Sequence, residues 1–331
     1  MAFIIQKYGG TSLADAASRE ILAKKVVAAR SQGDTVVLVV SAMGRRGDPY
    51  ATDTLLDMLK EYGGGAGGLT LDLIASCGEI ISCCVIASLL NSKGIRALPM
   101  SAYSAGIEAG GSFGDATPRR LDPSRILTVL ENESIPIVAG FQGIDSQGRI
   151  YTFGRGGSDT TAVVLASALG ADFVDIYKDV PGVAKADPRV IPDAPFMAFL
   201  DYDSMFRLAN HGARVLHDKS AILARDSGIK IRVRPTFDDG EGTLIASPGT
   251  GYSTPHFIGL ATNSMSDGRL KVTAVFARGE GGQEAGRIAQ LVQTGKFSAV
   301  PVDCGDPDTF AFACNSSDGR EFAIALYSIL E

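Results

Sequence analysis

The sequence is poor in the residues that build metal centres and disulfide frameworks. It has three histidines and five cysteines in 331 residues. No two cysteines have the C-x-x-C spacing, and the histidines, at 211, 217 and 256, lack the spacing of zinc ligands. Cys83 and Cys84 lie inside an apolar stretch, where thiols usually act as small hydrophobic groups. We therefore expect reduced cysteines and no structural zinc.

Positive charge and long hydrophobic runs are also scarce. There are 31 Lys and Arg against 37 Asp and Glu, a net charge of −6. An acidic chain without a basic stripe argues against nucleic acid and anionic membranes as partners. No 18 consecutive residues are all apolar, and the apolar run at 1–7 is too short for a signal peptide. We therefore expect a cytoplasmic protein.

Glycine is abundant, with 39 residues placed mostly between apolar runs, as in tight turns at strand ends. The run Thr35–Val40 is typical of a buried parallel strand. Predicted strands are 3–5, 35–40, 96–99, 135–139, 172–177 and 230–234; predicted helices are 14–30, 53–62, 70–92, 123–131, 159–169, 201–210 and 217–227. This alternation predicts an α/β fold, an open and mainly parallel sheet covered by helices on both faces.

Turn residues are dense at 248–255, which predicts a linker between a domain at 1–247 and a second domain at 256–331. The second part carries predicted strands at 270–276, 299–302 and 309–313 and helices at 283–293 and 320–330. This pattern predicts a small α+β domain of regulatory type.

Two glycine patterns match known motifs only as letters. The run 63–68 has the spacing of a dinucleotide fingerprint but follows a helical segment, and 110–114 has that of a nucleophile elbow without a buried strand before it. We predict both to be loops. A Walker-type phosphate loop is absent from the sequence.

The glycine pair Gly9-Gly10 lies between the first predicted strand and helix. Backbone N–H groups there can approach phosphate oxygens, and Lys7 can neutralise charge on a transferring phosphoryl group. A plain strand-to-helix turn, capped by Thr11 or Ser12, is the alternative interpretation.

Two further segments stand out because polar or charged residues lie beside glycine there. Ser41–Gly44 follows the most apolar strand and runs to Thr52 at the next helix start, although a loop with a helix cap has the same pattern. Glu79 lies in a mostly apolar helix, where a carboxylate needs a partner. That partner is either the ammonium group of a ligand or a structural Lys or Arg.

The segment Gly154–Asp159 stands immediately before a predicted helix. Arg155 can grip a carboxylate with its bidentate fork, Ser158 can cap the helix or bind a ligand, and Asp159 can orient lysines or Mg²⁺. A Gly- and Pro-containing loop further on carries charges suited to a nucleotide: Lys178, Asp179, Lys185 and Arg189.

Six segments in this order resemble the motifs of aspartate kinases. They are KYGGTS at 7–12, SAM at 41–43, SCGE at 76–79, GRGGSD at 154–159, DVPG with ADPR at 179–189, and GARVLH at 212–217. The segment 47–53 is similar to the Bacillus aspartokinase I subgroup, the form inhibited by diaminopimelate. The resemblance covers nearly all of residues 1–247.

The resemblance implies the amino-acid-kinase fold and ATP-dependent phosphorylation of the β-carboxylate of L-aspartate, the first step toward lysine, threonine and methionine, with Mg²⁺. It implies catalytic roles for Lys7 and Asp159. It implies aspartate binding by Ser41, Thr52, Glu79, Arg155 and Ser158. It implies nucleotide binding by Tyr8, Gly9, Gly10, Lys178, Asp179, Lys185, Arg189 and Arg214.

The sequence departs from the family pattern in the nucleotide segments. Lys178 stands where the family usually has Thr, Ala184 where an aromatic residue is common, and Arg214 where Lys is usual. Arginine keeps the charge of lysine but not its point-charge geometry. We expect these changes to affect nucleotide affinity more than the choice of substrate.

Family members commonly carry two tandem ACT modules that bind an amino-acid inhibitor, whereas 256–331 resembles one such unit. One unit leaves sheet edges unpaired, so we expect a homodimer with altered or absent feedback by lysine, threonine or diaminopimelate. Two other functions stay open: a kinase of another small amino or carboxylic acid, or a weakly active effector-binding subunit.

Overall fold

A computed structural model describes residues 1–63, 65–213, 215–249 and 251–331. The strands in these residues are β1 (Phe3–Tyr8), β2 (Thr35–Val40), β3 (Ala97–Met100), β4 (Ile107–Ser112), β5 (Asp115–Leu121), β6 (Ile135–Ala139), β7 (Gln142–Ile144), β8 (Ile150–Thr152), β9 (Phe173–Lys178), β10 (Phe199–Asp201), β11 (Lys230–Pro235), β12 (Thr243–Ala246), β13 (Phe257–Ser264), β14 (Leu270–Phe276), β15 (Val300–Val302) and β16 (Thr309–Cys314).

The α-helices of the described residues are α1 (Ala16–Ser31), α2 (Thr52–Lys60), α3 (Gly68–Ser92), α4 (Ala102–Ala105), α5 (Ser124–Glu131), α6 (Gly157–Leu169), α7 (Tyr202–Asn210), α8 (Asp218–Ser227), α9 (Gly281–Gln293) and α10 (Gly319–Leu330), and a 3₁₀ helix spans Gly10–Leu13. Each helix and strand predicted from the sequence is present, with ends that differ by a few residues. Most strands that the sequence did not reveal are short or rich in glycine and polar residues, whereas β13 is eight residues long and begins with a buried, mainly apolar run.

The chain forms two compact units. The large unit comprises Met1–Pro181 and Leu223–Glu241, and the small unit comprises Gly182–Ile222 and Gly242–Glu331. Each unit is therefore built from two separate stretches of sequence.

The main sheet of the large unit is parallel. Its strands lie in the order β11, β9, β1, β2, β6, β3. At the end of β1, Lys7 lies beside Val39 of β2 and Ile176 of β9. Because parallel strands end at one edge, the segments that follow β1, β2, β6 and β9 meet there, which is where ligands bind in open α/β sheets.

Helices cover both faces of this sheet. Val36, Leu38 and Val40 share one buried cluster with residues of α1 and α3. Val37 and Val39, which alternate with them, are also fully buried, and α6 contacts β1, β2 and β9. β-branched residues that are buried on both sides of a strand are typical of a parallel sheet.

Helix α3 is long and apolar enough to cross a membrane by length and composition, and half of that apolar window is buried. Among its buried residues are Asp72 and Glu79. A helix that packs on a sheet and buries two acidic side chains is explained as a core helix.

A second sheet of the large unit has the order β5, β4, β7, β8. The prediction of a loop at 110–114 is wrong in part, because Gly110–Ser112 belong to β4 of an antiparallel hairpin whose turn lies at Phe113 and Gly114. The buried Asp72 carboxylate holds this turn, accepting the N–H of Gly114 at 3.0 Å and that of Thr152 at 2.7 Å. In the other predicted loop, Gly64 lies outside the described residues, and α3 begins at Gly68.

The small unit contains the parallel pair β10–β12 and an antiparallel sheet in the order β13, β14, β16, β15. Phe276, Phe312 and Phe322 lie in its buried core, together with residues of α9 and α10. One face of this sheet is thus covered by two helices, as in an α+β domain.

Candidate active site

The centre of the site is a buried carboxylate between two ammonium groups. Asp159 lies in the first turn of α6 and forms two ion pairs. Its Oδ1 lies 2.7 Å from Lys7 Nζ, and its Oδ2 lies 3.3 Å from Lys178 Nζ. Lys7 is 5% exposed and Asp159 is 3% exposed. The three residues, which we call the charged trio, lie at the carboxyl edge of the sheet because β1 and β9 are neighbours.

Burial and charge act against each other in the charged trio. Burial alone would raise the pKa of Asp159, but the charges of Lys178 and Lys7 lower it to about 2. Burial lowers the pKa of Lys7, and the carboxylate of Asp159 opposes this shift. The carboxylate is therefore ionised at neutral pH and holds both ammonium groups in place.

The predicted glycine pair borders the trio. A Cβ atom at position 10 would lie 2.6 Å from the carbonyl oxygen of Gly44 and 2.7 Å from that of Ala42, so only glycine fits there. A Cβ atom at position 9 would lie 3.7 Å from Lys7 Nζ. The backbone therefore passes close to an ammonium group with no side chain between them, as in a phosphate-binding loop.

Glu79 lies beside the segment that follows β2. It is 3% exposed, and its Oε1 accepts the N–H of Ala42 at 3.0 Å, whereas its Oε2 has no hydrogen-bond partner among the described residues. Burial raises the pKa of Glu79 to about 8. Ser41 donates its N–H to the Tyr8 carbonyl at 3.1 Å, so the chain after β2 joins Glu79 to the glycine pair.

The loop Gly154–Asp159 surrounds the start of α6. Arg155 is exposed, while Ser158 is buried against Gly140, where a side chain would begin 2.7 Å from Ser158 Oγ. Gly154 has a φ of +69°, and a side chain there would meet the Gly114 carbonyl oxygen at 2.9 Å. The hairpin turn therefore lies directly against this loop, next to Arg155.

Two of the predicted site residues, Thr52 and Tyr8, are less clearly placed for contact with a ligand. Thr52 is the first residue of α2 and is partly buried. The Tyr8 ring is fully buried, stacks on Tyr177 with centroids 4.5 Å apart, and belongs to the core cluster. The structure therefore does not present the Tyr8 side chain to a ligand.

The predicted nucleotide loop divides between the units. In the large unit, Asp179 pairs with Arg45 at 2.7 Å. In the small unit, Lys185 Nζ lies 2.6 Å from Glu331 Oε1, and the exposed Arg189 pairs with Asp187 at 2.6 Å. Arg214 lies outside the described residues.

Sequence reasoning missed three contributors to the site: Gly78, Asp72 and Arg45. A side chain at Gly78 would begin 2.6 Å from Ala42 Cβ and 2.8 Å from the Tyr50 carbonyl oxygen, so this glycine lets the segment after β2 approach α3. A glycine within a long apolar helix is the signal that could have revealed this contact. Asp72 and Arg45 act through partners distant in sequence, which no local pattern indicates.

Comparison with known proteins establishes the family. The sequence profile of the amino acid kinase family matches residues 2–235. The chain belongs to the amino acid kinase family.

Within this family, the chain is similar to proteins named aspartokinases. The chain is 40% identical over 247 residues to Aspartokinase 1 of Bacillus subtilis (75% of this chain, 61% of that protein). It is 41% identical over 245 residues to an aspartokinase of Bacillus sp. (strain MGA3), 74% of this chain and 58% of that protein. The resemblance to aspartokinases inferred from the six motifs is thus confirmed, although the chain spans less than two thirds of either relative.

Solved structures share the fold. E. coli aspartokinase III in complex with aspartate and ADP superposes with a TM-score of 0.80 at 20% identity, covering 98% of this chain and 99% of that chain. Aspartate kinase from Synechocystis gives a TM-score of 0.66 at 30% identity, covering 99% of this chain and 55% of that one. The predicted fold class, an amino-acid-kinase sheet with a small ACT-like α+β domain, is confirmed.

Proposed function

We propose that this protein is an aspartate kinase, which transfers the γ-phosphoryl group of ATP to the β-carboxylate of L-aspartate and yields 4-phospho-L-aspartate and ADP. The observation that carries the proposal is the charged trio of Lys7, Asp159 and Lys178, held beside a glycine pair at the carboxyl edge of the sheet. Relatives named aspartokinases support it, as does the aspartate and ADP complex of the E. coli structure.

The geometry supplies groups for both ends of the amino acid. Glu79 is buried with one oxygen lacking a partner among the described residues, so an ammonium ion would satisfy it. Arg155, which is exposed, can hold the α-carboxylate as a bidentate pair. We assign Ser41, Thr52 and Ser158 to the same substrate.

The transfer needs positive charge more than proton transfer. An oxygen of the ionised β-carboxylate attacks the γ-phosphorus, the new O–P bond forms, and the bond to the bridging oxygen breaks with its electron pair leaving on ADP. No proton moves, because the nucleophile is already a carboxylate. Lys7 neutralises the charge that develops on the transferring group, and Asp159 orients Lys7.

We assign nucleotide binding to the backbone of Gly9 and Gly10 and to a set of charged residues: Lys178, Asp179, Lys185, Arg189 and Arg214. Mg²⁺ would accompany ATP and screen its phosphates. Within the described ranges, no three His, Cys, Asp or Glu side chains cluster as metal ligands. The described residues therefore form no dedicated cage, and phosphate oxygens and water would supply most ligands.

We also propose the wider organisation that the sequence predicts. Residues 1–247 form the kinase domain, 248–255 a linker, and 256–331 an ACT-like domain that pairs with a second copy in a homodimer. The enzyme would act in the cytoplasm at the entry to lysine, threonine and methionine synthesis, with an amino acid such as lysine, threonine or diaminopimelate as effector. Free thiols at all five cysteines support this location.

The test is ATP-dependent formation of an acyl phosphate, trapped with hydroxylamine while ADP release is followed in parallel. We expect turnover with aspartate, little with glutamate or N-acetylglutamate, and a loss of about 10²–10³ in kcat for Lys7→Ala.

Lys93→Met is the control, because Lys93 pairs with Glu20 at 2.7 Å at the end of α3, away from the site. Turnover with another carboxylic acid in preference to aspartate would overturn the substrate assignment. Nucleotide binding without turnover on any substrate would favour an effector-binding subunit.

A further inference from the structure

Lys178 has an unusual position for a residue at the end of a strand. It closes β9, and its Nζ lies 3.3 Å from the carboxylate oxygen of Asp159 that Lys7 does not occupy. The Lys178 side chain is 21% exposed, whereas that of Lys7 is 6% exposed. The two lysines therefore share one carboxylate, but Lys178 keeps access to solvent.

The strand register brings Lys178 to the glycine pair. Tyr8 lies opposite Tyr177, so Gly9, the first residue after β1, lies beside Lys178, the last residue of β9. A side chain at Gly9 would begin 3.7 Å from Lys7 Nζ and 3.9 Å from the Tyr177 carbonyl oxygen. The bare backbone of Gly9 thus lies at the ends of both strands that carry the lysines.

The charge of the trio is unbalanced. Two ammonium groups against one carboxylate leave a net charge of +1 in a largely buried place. Each ammonium has three N–H donors, and the ion pair with Asp159 uses only part of them. Buried charge is expensive unless it is paired, so the arrangement calls for an anion on the open side, where Lys178 is accessible.

We propose that Lys178 is a second phosphate-binding catalytic residue, which holds the β-phosphate of the nucleotide while Lys7 holds the γ-phosphoryl group, with Asp159 fixing the spacing of the two ammonium groups. This inference rests on the proposed function. Lys178 then stabilises the charge that accumulates on ADP as the bridging bond breaks. Because aspartokinase-like motifs usually carry threonine here, a cation at position 178 is a property of this chain.

A purely structural role is the rival explanation, in which Lys178 only ties β9 to α6. The two roles differ in their dependence on the β-phosphate. A phosphate contact distinguishes ADP from AMP, whereas a structural tie affects both nucleotides equally. The ratio of ADP to AMP affinity is therefore the informative measurement, together with thermal unfolding.

The experiment measures ADP and AMP binding by calorimetry, and kcat and KM for ATP, in wild type, Lys178→Met and Lys178→Arg. For Lys178→Met we expect about tenfold weaker ADP binding, AMP binding changed less than about twofold, and kcat lowered about 10²-fold. Lys178→Arg should recover much of the preference for ADP, because it restores the charge. Lys93→Met serves as control for the loss of an ion-paired lysine.

Equal losses of ADP and AMP affinity in Lys178→Met, or an unchanged ratio with unchanged kcat, would overturn the inference. The result is separable from the proposed function. If wild type phosphorylates no aspartate, the substrate assignment fails, while the ratio of nucleotide affinities still reports on Lys178.

Discussion

The large unit buries its charged side chains more completely than the small unit does, where Arg207 and Asp308 are each 8% exposed. The large unit encloses Lys7, Asp159 and Glu79 at the edge of an aliphatic parallel sheet. The small unit has an antiparallel sheet whose core is aromatic, with Phe312 and Phe322 packed at a centroid distance of 5.3 Å. Buried charge costs stability and is useful where charge is handled chemically, whereas packed rings contribute stability alone.

The comparison can be tested most strongly at Asp159. We expect Asp159→Asn to lower kcat by about 10³-fold, because both lysines lose the carboxylate that orients them. It should also destabilise the protein by about 3–5 kcal/mol, since Lys7 stays buried without a counter-charge. Hydroxylamine trapping and urea denaturation measure the two effects.

Asp175→Asn is the matched control for this variant. Asp175 is 1% exposed and accepts Arg232 Nε at 2.5 Å and Nη2 at 2.9 Å, and it lies opposite Gln6 within β9 rather than at the end of the strand. It should lose stability and keep most of its activity once folded. If both variants lost activity to the same extent, the special role of Asp159 would be refuted.

The next largest effect is expected in the small unit. Phe322→Ala removes a fully buried ring and should destabilise this unit by about 3–5 kcal/mol. Activity measured below the unfolding temperature should change little, because the ring contacts no predicted site residue in the described structure. Phe196→Ala, at a ring that is 43% exposed, should stay within about 0.5 kcal/mol of wild type. A large rise in the substrate KM of folded Phe322→Ala would show that the aromatic core also affects the geometry of the site.

The smallest effect concerns Glu79 and depends on pH. Burial raises its pKa to about 8, so the folded protein binds this proton more tightly than the unfolded chain does. The stability that the protonated group contributes is complete below the unfolded pKa and is lost as the pH rises through about 8. Glu79→Gln lacks this loss, so above pH 8 it should be more stable than wild type by about 1–3 kcal/mol.

At pH 5 the two proteins should unfold alike, while the variant should bind aspartate more weakly at every pH. Thermal unfolding and aspartate KM across this pH range provide the measurements. A stability difference that did not change with pH would contradict the assignment of a buried, proton-binding Glu79.

Much of the fold could be predicted because its signals are local. The run Thr35–Val40 is a strand with the predicted bounds, and Leu270–Phe276 is another. The second sheet of the large unit could not be predicted in the same way. Its hairpin strand Ile107–Ser112 contains two adjacent glycines and little apolar alternation. The turn of this hairpin is held by Asp72, which lies on a helix distant in sequence.

The site shows the same division. The glycine pair, Lys7 and the segment Gly154–Asp159 were evident from residue types placed at strand ends. The pairing of Asp179 with Arg45 and the burial of the Tyr8 ring were not. Both depend on which strands become neighbours.

Periodicity and turn residues, which act over short stretches of chain, were enough to predict the kinds of element, their order and the chemical groups at their ends. The meeting of Lys7 and Lys178 on the carboxylate of Asp159 follows from the fold, and no local pattern predicts it. These residues are brought together when β1 and β9 pair and α6 packs on them, and such pairing is set by burial of the whole core. The ion pair between Lys178 and Asp159 is therefore evident only in the folded protein.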